Sequence, residues 1–75
     1  MEETVFFNLG NAIAAKRDPK ELIKEAQIVK DHRGPLGKLV IVEDETNGDH
    51  ILFEVNDQEA PSDKTKEFKV KEIID

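Results

Sequence analysis

The stretch Val40-Ile-Val-Glu-Asp-Glu-Thr-Asn-Gly-Asp-His-Ile-Leu-Phe-Glu-Val55 decides the fold, because it reads either as a calcium loop or as two strands joined by a turn. An EF-hand loop places ligands at positions 1, 3, 5 and 12 with glycine at 6, and Glu43, Glu45, Asn47, Glu54 and Gly48 meet those spacings. Position 1 is Glu rather than Asp, and His50 stands where an apolar residue is expected. The flanks decide the matter. Leu39 to Val42 and Ile51 to Phe53 are β-branched, leucine and aromatic runs, whereas an EF-hand loop joins two helices.

Asn47-Gly48 supplies the two positive φ angles of a type I′ turn, so the stretch is expected to form a β-hairpin. With Thr46 facing Asp49, the register pairs Glu45 with His50, Val42 with Phe53 and Val40 with Val55. One face then carries Val40, Val42, Ile51, Phe53 and Val55, interrupted only by Asp44, and is the expected core surface. The other mixes Leu39, Ile41 and Leu52 with Glu43, Glu45, His50 and Glu54.

Before the hairpin, Arg17 to Asp31 holds a helix start. Asp18 is the N-cap, Pro19 takes the first helical position, and Glu21 completes a capping box. Leu22, Ala26 and Val29 share one face with Ile23 beside them, and Gly34 and Pro35 stop the helix. Asn11 to Arg17 is rich in helix formers and predicts a short helix ending before Pro19. Val5 to Phe7 fits a strand, yet Phe6, Leu9 and Ile13 also fit a helical face. After the hairpin, Asn56 to Thr65 is a polar loop, and Phe68 and Val70 alternate with charged residues as in a strand.

The expectation is one α+β domain over residues 1–75. Helical segments in the first 31 residues pack on a three-stranded antiparallel sheet, made of a 38–46 and 49–56 hairpin and a 66–73 strand in meander order. The expected core is Phe6, Leu9, Ile13, Leu22, Ala26, Val29, Val40, Val42, Phe53, Val55, Phe68 and Val70. Leu39, Ile41, Leu52 and Ile28 are left over, and such a surplus suggests a homodimer.

Charge is unevenly distributed. Residues 16–38 carry seven basic and four acidic side chains, whereas residues 43–63 carry eight carboxylates and no Lys or Arg, within a net charge of −6. There is no cysteine, which excludes disulfides and thiolate metal sites and fits a cytoplasmic location. The acidic N-terminus does not resemble a signal peptide, and no apolar run reaches the roughly 20 residues of a membrane span.

With two histidines, one serine and no cysteine, the material for nucleophile and base pairings is scarce, so a non-enzyme without cofactor or metal is expected. Gly34 to Lys38 lacks the spacing of a phosphate-binding loop, and Glu45 is the expected cross-strand partner of His50.

The preferred function is a small acidic binding or regulatory protein. It would dock on a basic protein surface through Glu43, Asp44, Glu45, Asp49, Glu54, Asp57 and Glu59. By size and charge alone this profile is one met among phage and accessory regulators. A nucleic-acid regulator using Lys16, Arg17, Lys20, Lys24 and Arg33 is the alternative; interleaved acids and the lack of Tyr and Trp weigh against it. A calcium module is the second alternative.

Overall fold

The computed structural model describes residues 3–33 and 37–74, except the side chain of Arg33. The elements are β1 (Thr4–Phe7), a 3₁₀ turn (Leu9–Asn11), β2 (Ala14–Lys16), α1 (Pro19–Arg33), β3 (Leu39–Glu43), β4 (His50–Glu54), a second 3₁₀ turn (Val55–Asp57) and β5 (Lys66–Ile74). The strands form one antiparallel-paired sheet in the order β1-β5-β3-β4-β2. The α+β class holds, but among the described residues the sheet has five strands rather than three. It is no meander, since β5 inserts between β1 and β3.

Among the described residues before position 32 there is one α-helix rather than several. Ala14–Lys16, expected in a helix, is a strand on the free edge of β4, with Ala14 opposite Leu52 and Lys16 opposite His50. Helix propensity in so short a segment cannot offset the cost of nucleation, whereas β4 offers an unpaired ladder. The ambiguous Val5–Phe7 also forms a strand, which buries Val5 and Phe7, leaves Phe6 half-buried and leaves Leu9 exposed. A helical reading picks the wrong side of this segment.

α1 begins at Pro19, behind Asp18, as expected. The Asp18 carboxylate accepts from the Lys20 N–H at 2.8 Å, which satisfies one of the orphan donors of the first turn. Leu22 and Ala26 are fully buried, with Ile23 and Val29 packed beside them. The stop expected at Gly34 and Pro35 lies outside the described residues.

The face that α1 covers is the reverse of the expected one. Its stripe packs on Leu39, Ile41, Leu52 and Ile74, so three of the four leftover residues are buried within the chain. Of those four only Ile28 stays exposed, and the surplus no longer argues for a homodimer. The other face carries Val40, Val42, Ile51 and Phe53, which cluster with Val5, Phe7 and Phe68, while Val55 and Val70 pack against them half-buried.

No helix among the described residues covers that second face; the sheet covers itself. The rings of Phe7 on β1 and Phe53 on β4 stack at 4.2 Å, although in a flat sheet strands three places apart would lie about 14 Å from each other. The sheet therefore curls. The segment after β4 then reaches β1, where the Glu59 N–H donates to the Phe6 carbonyl at 2.9 Å. Each fully buried side chain of this size contributes about 1.5–3 kcal/mol, so both faces matter to a chain this small.

One irregularity lets β5 serve both cores. A register shift between Ile41 and Val42 leaves Lys71 as an extra residue, with Val42 opposite Val70 but Ile41 opposite Glu72. Strand side chains alternate, so Phe68 and Val70 point to the aromatic cluster while Ile74, past the bulge, points to the helix side.

The hairpin is confirmed, but its turn differs from the expected one. Val42 pairs with Ile51 and Val40 with Phe53, a shift of two residues from the expected register. A shift of two preserves the side-chain faces, which is why their composition survives. Gly48 alone in this loop has a positive φ, 78°, so the turn is not type I′ at Asn47-Gly48. Asp44 and Asp49 close a longer loop in which the Asp44 N–H donates to the Asp49 carbonyl and the Gly48 N–H to the Asp44 carbonyl, both at 2.8 Å.

Candidate functional site

Asp44 begins the loop on the aromatic face, where the apolar alternation of β3 is broken. It is 3% exposed. A buried carboxylate needs partners, and it accepts from the Lys66 ammonium at 2.8 Å and the Thr46 N–H at 2.9 Å. The hydrogen bond from Lys66 holds the carboxyl below its ordinary range, against the opposing effect of burial and with further help from Thr46. The Thr46 N–H bond to the Asp44 carboxylate turns the chain at the start of the Glu45–Gly48 loop, which lies outside the β3–β4 ladder.

The other acids at the turn end of the hairpin also meet cations. Glu43 pairs with Lys71 at 3.1 Å, Glu45 pairs with Lys69, and Asp49 approaches Arg17 at 3.5 Å. The lysines come from β5, which the topology sets beside β3. Sequence reading missed these partners. The signal was present, since Asp44 interrupts the side that Val40 and Val42 define, while Lys66 shares the alternation of Phe68 and Val70.

The seven acids expected to form one docking surface are therefore divided. Glu43, Asp44, Glu45 and Asp49 lie at the hairpin end and are matched by cations. Glu54 lies at the far end of β4, about 13 Å along the strand from His50. Asp57 closes the second 3₁₀ turn, and Glu59 lies where the chain crosses to β1. The same division separates Glu54 from Glu43 and Glu45, so the calcium-like spacing does not converge. Among the described residues no group of three or more His, Asp or Glu is arranged to hold a metal ion.

The basic set comes together only in part, and with acids among it. Lys16 and Lys24 line an open depression with Glu21, Glu25 and Ile28. Lys20 is exposed on the first turn of α1, and Arg17 turns to Asp49. The Arg33 side chain lies outside the described residues. His50 faces Glu43 rather than Glu45, and its Nδ1 donates to the Arg17 carbonyl at 2.9 Å. His32 is exposed on the last helical turn, and Ser62 Oγ accepts from the Lys64 N–H at 3.2 Å.

No helix among the described residues is long and apolar enough to cross a membrane. Comparison with protein-family models, curated proteins and solved structures finds no match.

Proposed function

We propose that this chain is a non-enzymatic binding protein that docks on the basic surface of another protein through the segment after β4. One contrast carries the reading. Glu43, Asp44, Glu45 and Asp49 are matched by Lys66, Lys69, Lys71 and Arg17, whereas Asp57, Glu59 and Asp63 have no cationic partner among the described residues. Charges already paired within a fold give little to a partner; the unmatched ones supply the field that steers an encounter. Glu59 and Asp63 are exposed and Asp57 half-buried, which suits such a role. The dispersal of His32, His50 and Ser62 supports binding over catalysis.

The test is retention of a protein from native lysate after nuclease treatment, with low-salt and moderate-salt washes. The combined variant Asp57→Asn, Glu59→Gln, Asp63→Asn should lose a salt-released protein that both the parent and the Glu43→Gln, Glu45→Gln variant keep. Equal retention by the loop variant overturns the assignment to this segment, and retention that disappears with nuclease identifies a nucleic-acid partner instead.

A further inference from the structure

The two edges of the sheet are finished differently. β1 is partly occupied by the Glu59 N–H donating to Phe6, whereas β2 has β4 on one side and no strand on the other among the described residues. An open edge is a template for another strand, and short length, charged side chains, proline, a bulge or a cover blunt it. Ala14–Lys16 is short and ends in Lys16 but has neither proline nor bulge, and Ala15 at its centre is small and exposed.

α1 sits toward this side of the sheet. Beside its buried stripe runs a second one, Glu21, Lys24, Glu25 and Ile28, at the spacing of one helix face. Ile28 is 51% exposed, and with Lys16 these residues line the open depression next to β2. The stripe is self-complementary. When two copies run antiparallel about the midpoint of Lys24 and Glu25, Lys24 of each meets Glu25 of the other, and Ile28 lies over the aliphatic stem of Glu21.

We infer that the β2 edge and the α1 stripe form one surface that takes a second copy of this chain. β2 would pair antiparallel with its counterpart about Ala15, extending the sheet through both copies. The two-fold axis of such pairing is normal to the sheet, so both helices lie on one side of it and meet along the stripe. Lys16, next to Ala15, lines the same depression as Lys24 and Glu25, which places strand and helix contacts about one axis. This inference is independent of the docking segment proposed above. It rests on Ile28 and the open edge rather than on Leu39, Ile41 and Leu52.

Sedimentation equilibrium of the intact chain in low salt, from about 10 µM to about 1 mM, should show mass rising toward that of two chains. Lys24→Glu sets like charges together twice and should weaken association about tenfold or more, while Lys24→Glu combined with Glu25→Lys should restore it. Ile28→Glu should weaken it as well, with unchanged circular dichroism showing the fold intact. A monomer throughout the range overturns the inference, as does a dimer indifferent to both Lys24→Glu and Ile28→Glu, or one that the charge swap fails to restore.

Discussion

The ring of Phe7 lies flat against that of Phe53, 3° from parallel, although β5 and β3 stand between their strands in the sheet. Phe68 on the intervening β5 tilts against Phe53 at 5.5 Å and fills the inside of the curve. All three rings are almost wholly buried.

Removing either ring of the stacked pair should therefore cost more than a typical core substitution. Phe7→Ala and Phe53→Ala are each expected to destabilise by about 3–5 kcal/mol, enough to unfold much of a domain this small at 25 °C. The milder pair Phe7→Leu and Phe53→Leu, followed by urea denaturation, should show coupling of about 0.5–1.5 kcal/mol in a double-mutant cycle. Strict additivity would mean that the stacked rings add nothing beyond the area each buries.

Asp44 links stability to pH. Its carboxyl is held below the ordinary value of the unfolded chain, so its contribution is complete above about pH 5 and is lost as pH falls below about 4 through the depressed folded value. Asp44→Asn should remove this part of the acid sensitivity. Asp44→Ala should cost about 1–3 kcal/mol at neutral pH by leaving the Thr46 N–H and Lys66 without their acceptor. Urea midpoints at pH 7 and pH 3 check both, and the same loss on acidification in parent and Asp44→Asn would exclude Asp44 as a source.

Gly48 makes a conformational demand rather than a steric one. A Cβ there would meet nothing within 4 Å, yet φ is 78°. Gly48→Ala should cost about 1 kcal/mol and Gly48→Asn less, because asparagine tolerates the left-handed region. If thermal unfolding showed Gly48→Ala as stable as the parent, the loop would have to close differently.

Much of this arrangement was legible wherever chain neighbours determine it. The Asp18 cap and the stripe of Leu22, Ala26 and Val29 follow from local spacing, and the two hairpin faces survived a wrong turn because the shift was even. What failed depends on distant partners. Ala14 and Ala15 favour a helix until β4 offers an edge, and Phe7 reads no more strongly than Phe6 until the sheet bends over it. The acid run looked unpaired because the lysines that answer it lie on β5, more than twenty residues away along the chain.

The position of β5 also bears on how the chain is made. β1 has β5 as its neighbour in the sheet, so Thr4 to Phe7 leave the ribosome about 60 residues ahead of the residues they will pair with, about 3–12 s at ordinary translation speeds. Until then Phe7 lacks its neighbouring strand and Phe53 has no stable surface to stack on. The earliest strand waits longest, and the nascent chain must shield an aromatic residue that the finished protein conceals almost completely.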